Sequence, residues 1–187
     1  MVNVWDNTYS YEHRFREMFE CSPPLPLDGD ILDWGCSFGV VSLEIARAYS
    51  GRRVIGIDLD PSSIEYAIRN YTSDNLSFQE VDGFEYLSSR NRYAGIFALN
   101  NILMGFLRKR ELLEDEVVKQ LGKLMMSSLS SIGVLVVSAQ DSFYDRIYTF
   151  QYRTGIGLEV EPDFSQTPIG KDVERLREFK ELFFSED

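Results

Sequence analysis

The chain has 187 residues, of which 44% are hydrophobic and 26% charged, enough for one domain with a sizeable core. Its net charge of −11 disfavours a nucleic-acid partner, whose phosphates draw on Lys and Arg, and Arg108-Lys109-Arg110, the only basic cluster, reads as a solvated helix start. Cys21, Cys36 and the single histidine, His13, stand in no metal or redox spacing, no apolar run approaches the ~18 residues of a membrane span, and the N-terminus MVNVWDNTYSYEHR lacks a signal-peptide core, so a cytoplasmic protein without a metal site is expected.

Residues 1–29 read as an N-terminal cap. Ser10 can start a helix running roughly to Glu20, with Tyr11, Phe15, Met18 and Phe19 as its apolar stripe. Ser22-Pro23-Pro24-Leu25-Pro26 then stops any helix and makes an extended connector. From Asp30 onward strands and helices alternate. Ile31–Trp34 predicts a strand, Val40–Tyr49 a helix, and Arg53–Leu59 a second strand. Asp60-Pro61-Ser62 supplies an N-cap and a first-turn proline for a helix through Asn70. Leu76–Val81 is a third strand, Phe84–Arg90 at most a short helix, and Tyr93–Leu99 a fourth strand. A longer helix is expected over Arg110–Met126, and a fifth strand over Ile132–Ser138, apolar throughout as a strand covered on both faces would be. Asp141–Tyr152 is expected to be helical and Gly157–Glu161 a strand, while Asp172–Phe183 suggests a short helix running into an edge strand within Glu178–Ser185. The alternation implies an α/β fold with a doubly wound, mostly parallel sheet and helices on both faces. The whole chain, 1–187, reads as one domain: the cap at 1–29, a core at 30–140, and a C-terminal helix with edge elements at 141–187.

One stretch organises the rest. In Ile31–Leu43, ILDWGCSFGVVSL, an apolar strand ends at Asp33, a turn with Gly35 and Gly39 follows, and helical spacing begins at Val40. Strand, glycine turn and helix bring backbone N–H groups up to a nucleotide-like ligand. Asp58, which ends the second strand, lies near the ~20-residue offset at which an acidic side chain accepts from ribose hydroxyls. The dinucleotide pattern G-x-G-x-x-G is not met, since Gly35 is followed by Ser37 and Val40. Asp33 would also repel a pyrophosphate at the strand end. A carboxylate there suits an adenosine-bearing molecule with an amino group.

With those residues the chain resembles the class I S-adenosylmethionine-dependent methyltransferases over about Asp30–Ser138, a resemblance that implies an antiparallel edge at the C-terminal end of the sheet. The family's first motif, D-x-G-x-G-x-G, is matched by Asp33, Gly35 and Gly39, with Ser37 at its middle glycine. The resemblance implies that Asp33 and the turn Gly35, Cys36, Ser37 and Gly39 hold the cofactor's amino-acid end. It implies that Asp58 binds the ribose hydroxyls, that Leu59 lies against adenine, and that Asp82 accepts from the exocyclic amine with Gly83 and Phe84 beside it. The segment YAGIFALNNILMGF resembles the family's fourth motif, with Tyr93-Ala94 where many members carry Asp. Asn100, with Asn101 after it, would then meet both cofactor and methyl acceptor.

Methyl transfer from a sulfonium is an in-line displacement that relies chiefly on proximity. General bases are few: His13 is one candidate, and the amide of Asn100 or Asn101 can orient an amine or hydroxyl. Trp5, Tyr9 and Tyr11 could cap the cofactor, and Met104, Phe106, Tyr144, Tyr148 and Tyr152 could line an acceptor cavity or belong to the core. A small-molecule or protein acceptor is expected rather than a nucleic acid or a membrane. Two other classes fit the pattern. A non-catalytic member binding S-adenosylmethionine or a partner is favoured by Ser37, Ala94 and the shortage of acid–base residues. A nicotinamide-dependent oxidoreductase is disfavoured by Asp33 and the missing third glycine.

Overall fold

In the computed structural model the described residues are 25, 29–88, 92–99, 101–108, 114–141, 146–162 and 171–185. They build seven strands, β1 (Asp30–Trp34), β2 (Val54–Asp58), β3 (Leu76–Glu80), β4 (Tyr93–Leu99), β5 (Leu129–Asp141), β6 (Arg146–Arg153) and β7 (Gly157–Val160). The helices are α1 (Val40–Ala48), α2 (Pro61–Asn70), α3 (Gly83–Ser88), α4 (Ile102–Arg108), α5 (Asp115–Ser127) and α6 (Lys171–Phe183).

All seven strands form one sheet in the order β3-β2-β1-β4-β5-β6-β7. The first five run parallel, with Ile31 opposite Val54, Val54 opposite Leu76, Leu32 opposite Ile96, and Phe97 opposite Val136. β6 and β7 then fold back antiparallel, Val137 facing Phe150 and Gln151 facing Val160. The chain first moves outward through β1, β2 and β3, then returns to lay β4 against the other side of β1. Strand order therefore reverses between β1 and β4, which opens a crevice at their C-terminal ends.

Side-chain alternation divides the core into two. Leu32, Ile55, Ile57, Ile96, Leu135 and Val137 pack on the face covered by α3, α4, α5 and α6, while Ile31, Val54, Phe97, Val134 and Val136 pack with Ile45 and Ala46 of α1. Such period-two partition of continuously apolar strands is what burial on both faces requires. The helices are seated by specific devices. Asp60 caps α2, its carboxylate accepting from the backbone N–H groups of Ser62 and Ser63 at 3.2 Å each. The Asn75 amide nitrogen donates to the carbonyls of Ala46, Tyr49 and Arg52, at 3.0, 3.2 and 2.8 Å, and so closes the end of α1.

Three expectations need correction. Arg146–Arg153 is strand β6, so the expected helix over Asp141–Tyr152 is not present there. Tyr148 and Phe150 alternate into the core, and Tyr152 stacks on Phe184 beyond α6, a ring partner remote in sequence. The C-terminal segment stays helical through Phe183, with no edge strand, because Leu176, Phe179 and Phe183 are all fully buried along one helical stripe. The expected helix over Arg110–Met126 begins at Asp115 among the described residues, and Ile102–Arg108 forms a separate short helix. The expected N-terminal helix from Ser10, and Trp5, Tyr9 and Tyr11, lie outside the described residues. No helix among the described residues is long and apolar enough to cross a membrane.

Candidate functional site

The crevice is built from four strand ends. β1 stops at Trp34, and the chain turns through Gly35, Cys36, Ser37, Phe38 and Gly39 into α1. The turn is anchored by backbone bonds from Cys36 N–H to the Ile57 carbonyl and from Gly39 N–H to the Cys36 carbonyl, both 2.9 Å. Gly39 has φ +83°, and a Cβ there would fall 2.7 Å from the Phe78 ring, so conformation and space both demand glycine. Ser37 takes the same left-handed region at φ 48° with a side chain attached, a strained position for a residue other than glycine.

Asp58 reaches back from the end of β2 into this turn. Its Oδ2 accepts from the Ser37 N–H at 2.8 Å and its Oδ1 from the Asp60 N–H at 2.9 Å. Ionised carboxylates have about four acceptor sites, which leaves lone pairs for hydroxyl donors. Leu59, next in the chain, is 66% exposed, an apolar side chain held in water beside the turn. At the end of β3, Asp82 Oδ1 accepts from the N–H groups of Phe84 and Glu85 at 2.8 and 3.2 Å, capping α3. Gly83 lies directly against Trp34: a Cβ on Gly83 would stand 2.2 Å from the indole. Phe84 meets the same indole edge-on, with centroids 6.1 Å apart.

Asp33 is the electrostatic centre. It is only 2% exposed, and its Oδ2 accepts from the Ser42 hydroxyl of α1 at 2.6 Å. Burial raises its pKa to about 7, the Ser42 hydrogen bond opposes that rise, and the charge of Asp58 adds to it. A cation brought to this carboxyl would favour its ionised form. Cys36 is buried too, and desolvation with the negative field of Asp33 and Asp58 pushes its thiol well above the ordinary range, so it is an inert packing group. Among the described residues no group of three metal-ligating side chains converges.

Asp33, Gly35, Cys36, Ser37, Gly39, Asp58, Leu59, Asp82, Gly83 and Phe84 thus all lie at the C-terminal ends of β1, β2 and β3. His13 and Asn100 lie outside the described residues, as does Tyr144. Phe106 is a core residue, 5.4 Å ring to ring from Phe179, and Tyr148 is buried on the same face. Two contacts were missed in the sequence. Ser42 is hidden among the apolar positions of α1, and only its single small polar side chain in VVSL marked it. Asn101, beside Asn100, binds the backbone at Trp34, a link no spacing rule announces.

The sequence pattern of a methyltransferase domain matches residues 31–121, the segment that carries the glycine turn, Asp58 and Asp82. Over that segment the chain is similar to the class I S-adenosylmethionine-dependent methyltransferases. A ribosomal protein L11 methyltransferase from Janthinobacterium sp. (strain Marseille) is 31% identical over 123 residues, covering 66% of this chain and 39% of that protein. The chain spans between a third and about two fifths of the length of the ribosomal protein L11 methyltransferases it matches. A SAM-dependent methyltransferase from Archaeoglobus fulgidus shares the fold with a TM-score of 0.52 at 19% identity, over 73% of this chain and 54% of that one. The PKMT2 structure from Rickettsia typhi, in complex with AdoHcy, shares it with a TM-score of 0.51 at 22% identity, over 70% of this chain and 25% of that one. The family's cofactor is S-adenosylmethionine, and the donor set fits it: an acceptor carboxylate and an exposed apolar side chain end β2, a capped carboxylate follows β3, and a buried acid sits under the turn.

Proposed function

We propose that the chain binds S-adenosylmethionine in the crevice between β1 and β4 and transfers its methyl group to a protein acceptor. The observation that carries the reading is the Asp58 carboxylate, bonded to the glycine turn at Ser37 and followed by exposed Leu59. Asp58 would take the two ribose hydroxyls on its free lone pairs, Leu59 would cover one face of adenine, and Asp82 would accept from the exocyclic amine. Asp33 would hold the ammonium through the turn at Gly35, Cys36, Ser37 and Gly39. S-adenosylmethionine, when bound, supplies a methyl carbon on a positively charged sulfur, an electrophile that leaves a neutral thioether behind.

The chain's own part is then to orient and to exclude water, which for well-aligned reactants is worth up to ~7–11 kcal/mol. His13 or Asn100 would orient the acceptor or take its proton, and residues 1–29 would cap the crevice. The ribosomal-protein methyltransferases among the relatives support a protein acceptor over a small molecule, and the net charge of −11 suits a basic one in the cytoplasm. Calorimetry of the full chain with S-adenosylmethionine, S-adenosylhomocysteine and NAD tests the cofactor. Transfer of label from tritiated S-adenosylmethionine to purified ribosomal protein L11, with a panel of small amines alongside, tests the acceptor. Binding of both sulfur compounds but not NAD, with label on protein, is expected. Label on amines alone would overturn the protein acceptor, and binding with no transfer to either would favour a non-catalytic member.

A further inference from the structure

β1 and β4 stay in register through Asp33 and Phe97, and beyond that pair they part to form the crevice. Asn101, just past β4, spans the opening. Its side-chain nitrogen donates to the Trp34 carbonyl, and its oxygen accepts from the Ile102 N–H at 2.5 Å, at the start of α4. Both ends of the amide are therefore engaged with backbone. A Cβ on Gly35 would lie 2.7 Å from that same nitrogen, so turn and asparagine are fitted to each other.

Resting on the cofactor reading above, we propose that Asn101 is a positioning residue that acts through Trp34, its amide committed to the crevice wall rather than to the methyl acceptor. Holding the Trp34 carbonyl fixes the plane of the Trp34–Gly35 peptide. That peptide leads into Gly35, whose φ of +69° starts the turn. The indole of Trp34 meanwhile lies on Gly83 and Phe84, beside the cap at Asp82. Trp34 thus ties the end of β4 to the end of β3, and Asn101 holds it from one side. Loss of the donor would let the turn and the Asp82 loop shift together, and binding sites lose affinity steeply with small displacements.

The test uses the full chain in a Trp5→Phe background, where Trp34 is the only tryptophan, titrated with S-adenosylhomocysteine well below the melting temperature. Asn101→Asp keeps the side-chain shape but cannot donate to a carbonyl; Asn101→Ala removes the amide altogether. Both should bind about tenfold more weakly, the effect expected for one ordering hydrogen bond, with altered Trp34 emission before ligand is added. Asn101→Asp binding as tightly as the parent, with unchanged emission, would overturn the proposal. Should that variant not fold, Asn101→Ala within twofold of the parent overturns it equally. Failure of the parent itself to bind would instead bring down the cofactor reading, and this inference with it.

Discussion

Asp33→Asn probes the electrostatics of the crevice, because Asp33 holds its proton to about pH 7 in the ligand-free chain. A ligand ammonium needs the ionised carboxylate. With that pKa roughly a tenth of the molecules are ionised at pH 6 and about nine tenths at pH 8, so apparent affinity for S-adenosylhomocysteine should rise about tenfold over the interval. Binding below pH 7 should release most of one proton, measurable by calorimetry in buffers of different ionisation enthalpy. Stability carries the opposite sign. The unfolded chain ionises this carboxyl near its ordinary value of 3.8, and the native chain near 7. The contribution is complete below the first value and lost as pH rises through the second, up to about 4 kcal/mol for this one group. Asn in its place keeps the shape, should bind the ligand more weakly at pH 8, and should flatten both profiles. An affinity independent of pH between 6 and 8, with Asp33→Asn indistinguishable from the parent, would refute the role of the carboxyl.

Other substitutions test how the crevice is supported. Ser37→Gly relieves a left-handed φ of 48° and should stabilise the chain by about 0.5–1 kcal/mol after the entropy cost of glycine, seen as a higher denaturant midpoint. A lower midpoint would mean that the Ser37 side chain contributes contacts of its own. Gly83→Ala drives a methyl into the Trp34 indole and should cost roughly 1–3 kcal/mol, with a change in tryptophan emission; an unaltered melting curve would show that the indole is free to move. Asn75→Ala strips three carbonyls at the end of α1 of one shared donor group and should cost about 1–3 kcal/mol in chemical denaturation, against no change if water replaces the amide fully.

The first five strands and the first two helices were legible because each carries a local signal. Asp60-Pro61-Ser62 marks its helix start, and the unbroken apolar run of Ile132–Ser138 marks a doubly covered strand. The same held for the family, whose first motif, Asp33, Gly35 and Gly39, occupies one short turn. β6 was not legible, since Tyr148, Phe150 and Tyr152 find their partners only once β5 and α6 are in place. Nor was the single helix α6, whose Gly122 partner on α5 has no room for a Cβ beneath the Phe183 carbonyl. In the crevice, residue types on the strand ends could be read from spacing. The links among them could not. Ser42 on Asp33, Asn101 on Trp34 and Trp34 on Gly83 join residues 9, 67 and 49 positions apart, and tertiary packing alone decides which of many such pairs meet.

A crystal structure of the full chain with S-adenosylhomocysteine is the most direct test that this crevice is the cofactor site. The expected result has both ribose hydroxyls on the Asp58 carboxylate, adenine against Leu59 with its amine at Asp82, and the amino group over the Gly35–Gly39 turn toward Asp33. Ligand bound away from the ends of β1 and β2, or Asp58 contacting only Ser37 and Asp60 with ligand present, would contradict it.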